Sequence, residues 1–138
     1  MDDGSEEPLY SEVAPRYEGH AVLVIDDSKL QRRILERILG DLGFGQVQLA
    51  ATGEEALDRA QASAFDVVLV DWNVPGIEGA ALLRALREAQ PGAKFIVVSA
   101  ETDLGVMEEA LASGADEYLM KPAAPDLLRA KLALLDDR

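Results

Sequence analysis

Apolar residues are spaced in two alternating rhythms along this chain. Short unbroken runs alternate with stretches in which apolar residues return every three or four positions. The run Val67-Val68-Leu69-Val70 ends abruptly on Asp71 and a loop containing Pro75, Gly76 and Gly79. Such a run, bounded by turn formers, reads as a strand buried on both faces. Strands of the same kind are predicted at His20–Ile25, Gln46–Ala51, Lys94–Ser99 and, shorter, Glu117–Met120. Between them the period becomes helical. Leu30, Ile34, Leu35, Ile38, Leu39 and Leu42 follow Ser28, a good helix cap, and Gly43 and Gly45 stop that helix. Thr52 and Glu55 form a capping box for a helix to about Ala62. Further helices are predicted near Ala80–Ala89, from about Asp103 to Ser113, and over Asp126–Leu135.

Five strands alternating with five helices predict an α/β fold. Its five-stranded parallel sheet has helices on both faces and right-handed crossovers. The expected strand order is 2-1-3-4-5, with the switch point between strands one and three. Ligands of open parallel sheets sit in that crevice, beyond the carboxyl ends of the strands. Strand one ends in Asp26-Asp27 and strand three on Asp71, so the topology gathers three carboxylates. Ser99 ends the fourth strand and Lys121 follows the fifth, on the same edge.

Composition narrows what this edge can do. A chain of 138 residues, 49% of them hydrophobic, has room for one domain with a proper core. The net charge of −13 argues against nucleic acid as a partner. With no cysteine and the single histidine His20, thiolate or histidine metal clusters and a catalytic triad are excluded. No apolar run has the length to cross a membrane, and the acidic start is unlike a signal peptide, so a cytoplasmic protein without membrane insertion is expected. Residues 1–19 carry six acids against one Arg and no periodicity; they are expected to form an acidic, disordered tail before a domain at 20–138.

The remaining chemistry belongs to carboxylates, a lysine and hydroxyls. Three adjacent carboxylates repel one another unless they share a proton or a cation. Hard oxygen donors that leave positions to water suit Mg²⁺. An anion beside that metal would also meet the Ser99 hydroxyl and the Lys121 ammonium. This set suits phosphoryl transfer, and the Asp71 carboxylate can itself attack a phosphoryl group. Each residue alone has a plainer role: Asp71 as a turn or helix cap, Asp26-Asp27 as a capping pair, Ser99 as a cap, Lys121 as a solvated charge. Their joint arrival at four strand ends favours the functional reading.

Residues 20–136 resemble a bacterial response-regulator receiver domain, of the stand-alone kind that serves chemotaxis-type signalling. The Asp-Asp pair, VDWNVPGIEG, SAE and YLMKP carry the likeness. It implies the flavodoxin-like receiver fold and a phosphorylation-activated switch of a two-component system or phosphorelay. By this resemblance Asp71 is the phosphoacceptor. Asp27, Asp71 and the Asn73 backbone carbonyl are Mg²⁺ ligands, with Asp26 acting through water. Ser99 and Lys121 contact the phosphoryl group, Tyr118 is an aromatic switch, and Pro122 follows a cis peptide bond. Asn73 and Glu101 flank the path of the hydrolytic water and tune the lifetime of the phosphorylated state. The implied partners are a histidine kinase or histidine phosphotransfer protein and an output protein met by the fourth helix, fifth strand and fifth helix. The only catalysis implied is that of its own phosphorylation and dephosphorylation.

The departures from the family pattern are modest. Ser stands at 99 where Thr is common, Ile77-Glu78 replaces Met-Asp, and Ala123 stands where Phe is frequent, which leaves the docking of the last helix open. Trp72 is either an optical reporter or a shield for its loop. Three rival readings compete with this one. A Mg²⁺-dependent aspartyl-phosphate phosphatase needs an acid/base two residues after the nucleophile, where Asn73 stands. An unphosphorylated docking module would have lost one of these residues. The third is a fragment of a longer regulator; the sequence closes soon after the fifth helix, so output by protein binding or phosphorelay is expected instead.

Overall fold

The computed structural model describes residues 17–100 and 102–136. In chain order the elements are β1 (Ala21–Ile25), α1 (Lys29–Asp41), β2 (Gln46–Ala50), α2 (Gly53–Ala62), β3 (Val67–Val70), α3 (Gly79–Ala89), β4 (Lys94–Ser99), α4 (Leu104–Ala112), β5 (Glu117–Met120) and α5 (Pro125–Asp136). All four strand pairings are parallel, in the order β2-β1-β3-β4-β5. Both the predicted alternation and the predicted order are present.

The continuous apolar runs reflect burial on two faces. Leu23, Ile25, Val68, Val70, Phe95 and Val97 pack with Ala56, Leu82, Leu83, Leu86 and Ala110, so α2, α3 and α4 cover one side. Val22, Val24, Val67, Leu69, Ile96 and Val98 pack with Leu35, Leu39, Leu128 and Leu132, so α1 and α5 cover the other. Successive residues of one strand thus serve opposite cores, which is why no polar position interrupts them. Phe95 is fully buried, and its loss to alanine is expected to cost about 3–5 kcal/mol.

Caps set the helix starts. Ser28 Oγ accepts from the Gln31 N–H at 3.2 Å, and Thr52 Oγ1 from Glu55 N–H at 3.1 Å. The capping box differs in one detail: Glu55 Oε1 takes the N–H of Ala51 rather than that of Thr52. On α1 only part of the apolar set is inside. Leu35, Leu39 and Leu42 are buried, whereas Leu30 and Ile34, expected with them, stand on the outer face, 66% and 40% exposed. Ala123 packs against the α1/α5 core with Leu128, Leu132 and Leu135 buried beyond it, so the last helix docks without the expected aromatic.

The domain begins earlier than hydropathy suggests. Tyr17, assigned to the tail by sequence, is 3% exposed and stacks on Phe44 at 4.7 Å between ring centroids. The rest of the expected tail, residues 1–16, lies outside the described residues.

Candidate functional site

Register places the site. Ile25 lies opposite Val70 on one side and Ala50 on the other, so β1 and β3 end level and Asp26 and Asp71 leave them side by side. Two backbone bonds carry this register one step further: Asp26 N–H donates to Ala50 O at 3.0 Å and Asp71 N–H to Ile25 O at 2.8 Å. Across the sheet Ser99 pairs with Met120, and the Lys121 N–H donates to Ser99 O at 2.9 Å. The peptide bond between Lys121 and Pro122 is cis, as the resemblance implied.

Carboxylate oxygens of Asp26, Asp27 and Asp71 lie within 4.8 Å of one another. Lys121 reaches into the group, its Nζ 2.8 Å from Asp26 Oδ2 and 3.1 Å from Asp71 Oδ2. Asp26 and Asp71 are buried and Asp27 is exposed, so the cluster opens to solvent on the Asp27 side. Burial pushes the Asp71 carboxyl above the usual carboxylate range, more than the Asn73 N–H and the Lys121 charge pull it down. Burial would lower the Lys121 ammonium, but its bond to Asp26 and the charge of Asp71 prevail and hold it above its ordinary value. One ammonium thus stands against three carboxylates. This oxygen-rich, under-compensated cluster fits a hard divalent cation with room for water.

The plainer roles are partly real. Asp71 Oδ1 accepts the Asn73 N–H at 3.3 Å, and Asp26 Oδ1 accepts the Ser28 N–H at 2.9 Å, so both also shape their loops. These bonds occupy one oxygen of each and leave the other toward Lys121. Ser99 is fully buried behind the site and Tyr118 is 7% exposed in the core beside Val97 and Ala115. Asn73 is exposed. Glu101 lies outside the described residues.

Sequence reasoning passed over what seats the β3–α3 loop. Gly53 donates its N–H to Pro75 O at 3.1 Å, and a Cβ there would stand 2.9 Å from Ile77 Cγ1. Gly76 has φ of +102°, in the left-handed region that glycine alone enters freely. The loop carrying Asn73 is therefore pressed onto the start of α2. The pair of glycines was visible in the sequence, but not that they meet one loop. Trp72 is neither a bare reporter nor an outer shield. It is 9% exposed and turns into the core against Gly79, where an added Cβ would lie 2.7 Å from the ring.

A model of the response regulator receiver domain matches residues 22–133. The chain belongs to the response-regulator receiver family. Its relatives include the chemotaxis protein CheY of Pseudomonas aeruginosa, 34% identical over 119 residues that make up 85% of this chain and 96% of the relative. A solved CheY-like receiver domain protein from Methanospirillum hungatei superposes with a TM-score of 0.78 at 34% identity, covering 86% of this chain and 94% of that one. CheY in the CheX–CheY–BeF₃–Mg complex of Borrelia burgdorferi does so with a TM-score of 0.77 at 27% identity, covering 88% and 98%. As a receiver this chain is a phosphorylation-activated signalling switch. Receivers bind Mg²⁺ at an aspartate cluster and act through kinases and other signalling proteins. Among the described residues no helix is long and apolar enough to cross a membrane.

Proposed function

We propose that Asp71 accepts a phosphoryl group from the phosphohistidine of a histidine kinase or histidine phosphotransfer protein. An Asp71 oxygen attacks phosphorus, the bond from phosphorus to the histidine nitrogen breaks, and an aspartyl phosphate is left. Mg²⁺, held by Asp27, Asp71 and the Asn73 backbone carbonyl with Asp26 through water, would supply charge compensation for the oxygens around phosphorus. Lys121 would then turn from Asp71 to the new phosphoryl oxygens, joined by the Ser99 hydroxyl, with Tyr118 following the space that Ser99 vacates. The observation that carries this reading is the buried Asp71 carboxylate, 3.1 Å from Lys121 in a cluster of three carboxylates at the ends of β1 and β3.

Output is read as binding of another protein on the face of α4, β5 and α5. Leu104, Leu111, Met120, Leu127 and Leu134 are exposed on these elements, apolar side chains that a protein partner would cover. Moving such a switch from 1:99 to 99:1 requires about 5.5 kcal/mol of differential interaction with the two states. Asn73 and Glu101 are proposed to hold water near the phosphoryl group and keep its lifetime short, in a cytoplasmic signalling role. An aspartyl-phosphate phosphatase is disfavoured because Asn73 cannot serve as the acid/base it needs.

The test is mass spectrometry after incubation with acetyl phosphate and Mg²⁺. Wild type should gain one phosphoryl group on Asp71, and Asp71→Ala should gain none. Equal labelling of the two proteins would sink the assignment.

A further inference from the structure

The exposed member of the carboxylate cluster, Asp27, stands between two residues that one arginine grips. Asp26 is tied at every polar atom. Its N–H donates to Ala50 O at 3.0 Å, Oδ1 accepts from Ser28 N–H at 2.9 Å, Oδ2 meets Lys121 Nζ at 2.8 Å, and its backbone carbonyl accepts Arg32 Nη1 at 2.8 Å. The Arg32 main-chain N–H in turn donates to Ser28 O at 3.0 Å. Arg32 therefore holds the loop by its side chain before Asp27 and by its backbone after it. A guanidinium so near a cluster suited to a divalent cation is electrostatically adverse for that cation. Charge alone would make Arg32 a hindrance, so its contribution has to be geometric.

We propose that Arg32 is a positioning residue for Mg²⁺: its bond to the Asp26 carbonyl holds the β1–α1 loop in the form that presents the Asp27 carboxylate to the ion. The proposal rests on the Mg²⁺ reading above and goes beyond it, since Arg32 touches neither the ion nor the phosphoryl group. Residues that orient metal ligands from behind typically change affinity by about 10–100-fold when removed. The neighbouring Arg33 is exposed, carries the same charge and serves as a matched control.

The experiment is calorimetric Mg²⁺ titration of the full chain. Wild type is compared with Arg32→Ala, Arg32→Lys, Arg33→Ala and Asp27→Ala, with melting temperatures of the metal-free proteins recorded alongside. Arg32→Ala should bind Mg²⁺ about tenfold more weakly. Arg32→Lys, which keeps a donor able to reach the carbonyl, should recover most of the loss, and Arg33→Ala should stay near wild type. Hydrogen exchange at the Asp27 and Ser28 amides of metal-free protein should speed up in Arg32→Ala and slow again in Arg32→Lys. If Arg32→Ala folds poorly, the exchange rates of Arg32→Lys decide: protection close to wild type supports the clamp, and its loss overturns it. Arg32→Ala binding as tightly as wild type, or tighter, overturns the proposal while binding lost in Asp27→Ala leaves the Mg²⁺ site standing. A wild type that binds no Mg²⁺ overturns both.

Discussion

Aspartates stand at both edges of this sheet, and the two sets behave differently. At the amino edge, Asp66 Oδ2 accepts the Ala21 N–H at 2.8 Å, tying the entry of β3 to β1. Asp116 Oδ2 accepts the Phe95 N–H at 2.8 Å, and its other oxygen meets Arg87 Nη2 at 3.3 Å. Each carboxylate there lies apart from the other and is matched to backbone donors of a neighbouring strand. At the carboxyl edge, Asp26, Asp27 and Asp71 crowd one another and share Lys121. One edge spends its charge on holding strands in register, whereas the other keeps charge uncompensated. The residue type is the same; what differs is whether the fold supplies a partner for each.

The sharpest test exchanges the two edges. Asp71→Ala should abolish phosphorylation and leave a folded protein, whereas Asp116→Ala should phosphorylate normally and be less stable by about 1.5–3 kcal/mol. Urea unfolding and phosphate incorporation measure the two, and an Asp116 variant that loses phosphorylation while fully folded would erase the distinction.

Mg²⁺ should separate the edges next. Ion binding to the native state alone raises stability by mass action, about 2.7 kcal/mol at a hundredfold excess over the dissociation constant. Melting temperature should therefore rise with Mg²⁺ in wild type and in Asp116→Ala, and barely move in Asp27→Ala. A rise of equal size in Asp27→Ala would place the ion elsewhere.

The pH dependence of the metal-free protein carries a sign. Because burial holds the folded Asp71 carboxyl above its unfolded value of 3.8, ionisation favours the unfolded chain. Its contribution weakens stability as pH rises from 3.8 through the folded value, and Asp71→Asn should remove that contribution, leaving a steeper loss on acidification. Lys121 works the other way at the alkaline end: its raised folded value adds stability below 10.5 that is lost as pH climbs above it. A shallower acid-side loss in Asp71→Asn than in wild type would contradict the burial argument.

The smallest effect concerns the β3–α3 loop at the carboxyl edge. Gly53→Ala would bring its Cβ to 2.9 Å from Ile77 Cγ1 and should weaken Mg²⁺ binding severalfold by lifting the Asn73 loop off α2. Adding Ile77→Ala should restore it. Trp72, at the start of the same loop and buried against Gly79 where α3 begins, should show a fluorescence shift that follows the seating of the loop in both variants.

Much of this was legible because periodicity encodes burial. Val67–Val70 and Phe95–Val98 are apolar at every position since each strand feeds two cores, and that pattern alone fixes a doubly covered parallel sheet. Strand order and strand ends together imply the carboxylate cluster. What stayed hidden depends on contacts between distant segments. Hydropathy counts Leu30 and Ile34 with Leu35 and Leu39, because spacing marks a helix face without saying how far the sheet extends beneath it. Arg32 gave no signal as a clamp, since a charged residue in a helix looks solvated until its guanidinium is seen on Asp26 O. The close seat of Ile77 on Gly53 likewise joins two loops that no local pattern connects.

The stacking of Tyr17 on Phe44 bears on how this domain can be moved between proteins. A graft cut at residue 20, where the strand pattern starts, would leave one face of the Phe44 ring bare and remove a side chain packed with Val22, Leu39 and Leu135. The transplantable unit therefore starts upstream of Tyr17. A fusion joined there keeps the aromatic pair below the amino end of β1, at the opposite end of the sheet from the carboxylate cluster.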